Sequence, residues 1–156
     1  MKTMTTGGLT LLVALVSTAS VLAHHSLANH DITKAVRVKG TIVQVNLINP
    51  HSFIYLEEKT AEGQIRRWAV EGPSTIQLQR MGIAVDALKP GVVIEACGYL
   101  PKEATMWQIE NPSGVSLAGR LLTGEVLVMP DGREQSWGDY GFHKCFAEGF
   151  RDQHSK

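Results

Sequence analysis

The chain predicts an all-β fold, a five-stranded Greek-key barrel of the OB type with one short helix. Three observations carry this. Between residues 35 and 137 the apolar residues recur mostly with a period of two, as half-buried strands require. One helix-compatible stretch interrupts them after the third apolar run. The first run is long and changes phase partway, as a strand shared by both sides of a small barrel must. The resulting β-β-β-α-β-β order is that of the OB-fold. An immunoglobulin-like sandwich, the alternative, needs about seven short strands and no central helix.

In the first strand Val36, Val38 and Ile42 share one parity, whereas Val43, Val45 and Leu47 take the other. The switch predicts a bulge beside Gly40. Asn49-Pro50-His51-Ser52 is a turn, because proline fixes φ and asparagine suits turn entry. Phe53 to Glu57 forms the second strand, Ala61-Glu62-Gly63 a hairpin signal, and Ile65 to Glu71 the third strand. Pro73 or Ser74 starts a short helix carrying Ile76, Leu78 and Met81, and Gly82 stops it. Leu88-Lys89-Pro90-Gly91 turns the chain into the strand Val92–Tyr99. Residues 100–116, with Pro101, Pro112 and Gly114, read as a long excursion. A closing hairpin pairs Gly124–Met129 with Arg133–Trp137 across Pro130-Asp131-Gly132, whose Asp-Gly pair supplies positive φ.

The start of the chain reads as a cleavable secretory signal peptide, residues 1–23. Lys2 is a weak basic region, Leu9 to Val16 an apolar core, and Ser17 to Ala23 a small-residue stretch ending in Val-Leu-Ala. The apolar run is shorter than the roughly 20 residues of a spanning helix, so no transmembrane anchor is expected after processing. Cleavage would expose His24 as the first residue, in the periplasm or outside the cell. A polar arm follows at 24–34, then the barrel domain at 35–137 and a peripheral tail at 138–156.

Export bounds the partners. The full chain has 15 Lys and Arg against 15 Asp and Glu, and loss of Lys2 leaves 14 basic residues. With no basic excess and no cytoplasmic residence, nucleic acid is excluded as an expected partner. An oxidising compartment makes a Cys97–Cys145 disulfide the default expectation. The alternative is two thiols, with Cys145 and His143 two apart on one strand face and able to share a metal.

The histidines carry the most specific chemistry. A terminal His24 would offer its α-amine and ring Nδ1 to one metal ion, and both release their protons to a transition metal near neutral pH. A third nitrogen from His51, placed by Pro50, would complete a planar three-nitrogen set suited to copper(II). His25 is a weaker candidate, because neighbouring side chains of an extended arm point oppositely, and His30 is a reserve. The alternative is structural: a solvated His-His arm, and an Asn-Pro-His turn held by a backbone hydrogen bond. Other constellations are bland. Trp68 reads as core, Arg66-Arg67 as solvated face, and Glu57, Glu58 and Glu71 as strand-edge charge. Ser26 and Ser52 adjoin histidines, but adjacency in sequence makes no nucleophile–base pair.

Several segments together carry a family resemblance. They are Ala23-His24-His25-Ser26, Gly40-Thr41-Ile42, Asn49-Pro50-His51, Trp68-Ala69-Val70-Glu71-Gly72, Leu88-Lys89-Pro90-Gly91 with Gly98-Tyr99, and Leu127 to Arg133. In order and spacing they resemble exported bacterial proteins of domain-of-unknown-function family 6152. The resemblance implies a small secreted barrel and no established activity. The chain departs from that pattern in its two cysteines, in His30 and in the tail after Trp137.

The sequence thus favours a non-enzymatic exported barrel that binds a small ligand or metal ion, copper first and zinc second, through His24, His51 and His25. A peptide- or saccharide-binding module with structural histidines is the alternative, and a copper oxidative enzyme with the same ligands is a third. The sequence leaves the oligomeric state open.

Overall fold

A computed structural model of the chain describes residues 27–110, 116–138 and 145. Seven strands and one α-helix follow in the order β1 (Val36–Asn46), β2 (Ser52–Lys59), β3 (Ile65–Gly72), α1 (Thr75–Arg80), β4 (Val93–Tyr99), β5 (Met106–Glu110), β6 (Ser116–Val128) and β7 (Glu134–Ser136). β1 pairs with both β2 and β4, β2 with β3, and β6 with both β3 and β4, so five strands close into a barrel. The β3–β6 seam is parallel and the other four are antiparallel. This is the OB-type barrel that the strand order predicted.

The phase switch in β1 is real but displaced. Val38 and Ile42 are buried in the barrel core, and Val45 and Leu47 pack against that same core. Val43 instead packs outside the barrel with Phe53, Tyr55, Ala69 and Leu121. The register with β2 slips between Ile42 and Gln44, so the bulge follows Ile42 rather than lying beside Gly40. Gly40 serves close approach: a Cβ there would stand 2.8 Å from the Glu57 carbonyl oxygen.

α1 lies between β3 and β4 in the chain and sends Leu78 into the core. Its start is a capping box in which Ser74 Oγ accepts from the Gln77 N–H at 3.3 Å, and the Gln77 side chain accepts from the Ser74 N–H at 3.1 Å. Gly82, with φ at 71°, follows the helix end as expected. Among the described residues no helix is long and apolar enough to cross a membrane.

Two expectations are corrected. The stretch 100–116 is not a plain excursion: it contains β5, which pairs with Ser116–Arg120. The last long strand begins at Ser116, well before Gly124. Pro112 and Gly114 gave the stretch its look of a break, whereas Gly119 inside the strand is dictated by packing: a Cβ there would lie 2.6 Å from the Trp68 backbone carbon. β6 therefore serves four partners. Arg120 is paired on one edge with Trp68 and on the other with Met106, and Val126 likewise with Cys97 and Ser136.

Trp137 closes the end of the barrel where β3 finishes. It is fully buried, its N–H donates to the Glu125 carbonyl at 2.7 Å, and its indole N–H donates to the Glu71 carbonyl at 3.0 Å. Cys97 and Cys145 are joined by a disulfide with Cα atoms 5.6 Å apart, as expected from compartment and count. Arg37 reinforces that attachment by donating to the Cys145 carbonyl and pairing with Glu95 at 2.6 Å.

Candidate functional site

The site is assembled where the β1–β2 turn meets the end of β3. Asn49–Pro50 is a cis peptide, and His51 stands immediately before β2. The β2–β3 register sets Ser52 opposite Gly72 and Phe53 opposite Glu71, which brings the His51 ring to the Glu71 side chain. His51 Nδ1 lies 2.8 Å from Glu71 Oε1. Each side chain is about one-fifth exposed, 21% and 22%, so the pair opens to solvent on one side.

The parallel β3–β6 seam then sets Thr123 beside Glu71. Thr123 Oγ1 reaches Glu71 Oε2 at 3.4 Å and His30 Nε2 at 2.9 Å. One carboxylate therefore links two histidines, His51 directly and His30 through a hydroxyl. Because the Thr123 hydroxyl donates to Glu71, it accepts from a His30 Nε2–H, and His30 Nδ1 is left buried with no partner among the described residues.

His30 belongs to the polar arm, which is fastened to the barrel. Leu27–Asn29 is a short 3-10 turn and His30 forms a bridge with Pro101. The Asp31 N–H donates to the Leu100 carbonyl at 2.9 Å and the Lys102 N–H to the Asn29 carbonyl at 2.8 Å. Lys102 Nζ adds a bond to the Ala28 carbonyl at 2.6 Å. Burial pulls the His30 pKa below its ordinary value, and the nearby Glu71 charge only partly opposes this. His30 is thus neutral at pH 7.

A carboxylate is acceptor-only, so its bond to His51 Nδ1 selects the Nδ1–H tautomer and places the lone pair on Nε2. That is the carboxylate–histidine arrangement that orients metal-ligating imidazoles and raises their basicity. The same pair could orient a general base, but the Ser52 hydroxyl is turned toward the Ile48 carbonyl at 3.5 Å.

Of the residues singled out from sequence, His51 is in place, while His24, His25 and Ser26 lie outside the described residues, as does His143. Among the described residues no group of three His, Cys, Asp or Glu side chains is disposed to hold a metal ion. The disulfide removes the reading in which Cys145 acts as a free thiol. Trp68 is core, as expected. Sequence reasoning missed Glu71 and Thr123. Glu57 and Glu58 do pair with Arg67 and Arg66 as ordinary strand charges, and nothing short of the register separates Glu71 from them.

The model of a family of unknown function (DUF6152) matches residues 11–108, and the chain belongs to that family. No curated protein matches the chain. Among solved structures it is similar to the mitochondrial single-stranded DNA-binding protein of S. cerevisiae, with a TM-score of 0.40, 10% identity and coverage of 62% of this chain and 94% of that one. It is also similar to a small single-stranded DNA-binding protein from Streptomyces coelicolor, with a TM-score of 0.33, 9% identity and coverage of 62% and 93%. At that identity the likeness extends to the fold alone. The expectation that nucleic acid is excluded as a partner is nevertheless corrected, because its premise does not hold. A balanced net charge is a whole-chain sum and is blind to local clusters, so it was no ground for that exclusion.

Proposed function

We propose that this member of the family is an exported binder of a divalent transition metal, copper in the first place and zinc in the second, working in sequestration or delivery outside the cytoplasm. His24, freed by removal of residues 1–23, would contribute its α-amine and Nδ1, and His51 its Nε2. His25 is the remaining candidate on the arm. One observation carries the reading: the carboxylate that orients His51 from behind, Glu71 at 2.8 Å, is also the one to which Thr123 ties the arm's His30. His24 stands six residues before His30 in sequence, within about 20 Å of extended chain. The arm is fastened beside the imidazole it would have to meet.

The test is titration of secreted protein, its first residue verified by mass spectrometry, with copper(II) and zinc(II). One equivalent of copper should bind, with an electron paramagnetic resonance spectrum of nitrogen ligation. Glu71→Gln should weaken binding about 10- to 100-fold, as loss of an outer-shell carboxylate does. A chain beginning at His24 that takes up neither metal overturns the proposal, and unchanged affinity in His51→Ala removes His51 from it.

A second reading has its own support. Trp107 is 40% exposed and stacks on Phe53 with ring centroids 5.1 Å apart, a face on which a saccharide or peptide side chain could lie. Quenching of tryptophan emission by a saccharide panel, abolished in Trp107→Ala, would favour it.

A further inference from the structure

The opposite end of β3 holds a different arrangement. Arg66 and Trp68 share one face of β3, the register sets Glu58 opposite Arg66, and Arg120 of β6 lies beside Trp68. The guanidinium carbons of Arg66 and Arg120 stand 6.0 Å and 5.4 Å from the centroid of the Trp68 ring. The two cations are therefore separated by no more than the sum of those distances. Trp68 and Arg120 lie three residues along their strands from Glu71 and Thr123, about 10 Å at roughly 3.3 Å each, and Arg66 lies five residues from Glu71, about 16 Å.

The acids nearby are already engaged. Glu58 accepts from the Trp68 indole N–H at 2.7 Å and pairs with Arg66 at 3.5 Å, while Glu57 pairs with Arg67. Arg67 still keeps its Nε buried with no acceptor among the described residues. Arg120 is half-buried, and its described contact is the tryptophan face. A guanidinium carries five N–H donors in a fixed fork, and holding the cation against an apolar ring costs it part of its hydration. An aromatic face offsets part of that cost for a cation but takes up none of the in-plane donors. Two like charges held on one ring also repel each other. A tetrahedral oxyanion answers both defects, because its oxygens match the fork bidentately and its charge screens the pair.

We propose that Arg120, with Arg66 across the Trp68 ring, forms a binding site for a phosphate or sulfate group. It is independent of the histidine cluster at the other end of the strand. The shared chemistry is a tetrahedral oxyanion, whether free or borne by an ester on a larger molecule. Arg120 is the primary ligand, since Arg66 is shared with Glu58. Sequence alone shows only the Arg66-Arg67 pair, because Arg120 joins it through the parallel seam.

The test follows the Trp68 indole N–H resonance in isotope-labelled full-length protein, with chelator present and ionic strength held constant with sodium chloride. Added inorganic phosphate and sulfate should each shift that resonance saturably. Arg120→Gln should weaken binding about tenfold or more, the order expected from loss of a charge-assisted pair. Arg120→Lys should restore it only in part, because an ammonium lacks the fork. A dinucleotide and a sulfated disaccharide as further arms distinguish the two ester sources by which binds more tightly than its free anion. The proposal is overturned if the resonance does not move, if Arg120→Gln in a folded protein binds as the parent does, or if acetate binds as tightly as phosphate.

Discussion

Trp137 and Gly72 offer a sharp test of how the end of the barrel is packed. A Cβ built on Gly72 would lie 1.9 Å from two atoms of the Trp137 ring, well inside van der Waals contact. Gly72→Ala must therefore push a fully buried indole or the strand that carries Glu71. Overpacking of this kind costs about 1–3 kcal/mol. Trp137→Ala removes the ring and its bond to the Glu71 carbonyl, for about 3–5 kcal/mol. The informative quantity is the coupling between them. Once the ring is gone, the three nearest atoms that the Gly72→Ala methyl meets are gone with it, and the substitution removes freedom from the unfolded chain, a gain of about 0.4–1 kcal/mol in a compatible conformation. The second substitution should thus change sign between the two backgrounds. Urea midpoints of the four proteins, converted with a common m-value, give the cycle directly. If Gly72→Ala destabilised the parent and Trp137→Ala proteins equally, the ring would not be what the methyl group meets, and this account of the barrel end would fail.

Other expectations follow from the same packing. Removing the Cys97–Cys145 link, by reductant or by Cys145→Ala, should cost up to about 4 kcal/mol for a closed loop of 48 residues, read as a lower urea midpoint. Because burial lowers the His30 pKa, the unfolded chain takes up that proton first as the solution is acidified. Stability should therefore fall below about pH 6.5, and amide exchange at Asp31 and Lys102 should accelerate; His30→Gln should flatten that dependence. Burial pushes the Tyr55 phenol up to about 12. The unfolded chain then loses this proton first, so stability should decline as pH rises from 10 toward 12, and ultraviolet titration should show a phenol ionising late, absent in Tyr55→Phe.

Local patterning made much of the barrel legible. The alternation of Val36, Val38 and Ile42, the Ser74–Gly82 frame of the helix and the Asp-Gly turn each reflect forces acting within a few residues. β5 and the first half of β6 were not legible, because Pro101, Pro112 and Gly114 carry breaker signals and Gly119 answers to Trp68, a residue on another strand. The site divides the same way. His51 could be picked out from its own turn. Glu71, Thr123 and Arg120 acquire their roles only from register across β2–β3 and β3–β6, which no spacing along the chain encodes. Charge counting failed for a related reason: it sums over positions that the fold sorts to opposite ends of one strand.

The four partnerships of β6 also dictate an order of assembly. Synthesis proceeds from the amino terminus, so β1 to β4 are complete before any of β6 has been made. Until Arg120 can reach Trp68, 52 positions earlier, those strands can form only an open sheet with β3 and β4 as bare margins. Such margins recruit neighbouring chains, and closing so distant a seam is slow. A nascent or truncated product ending before Ser116 should accordingly clump rather than fold, and cells making this protein should depend on a holdase that shields those margins until the last long strand arrives.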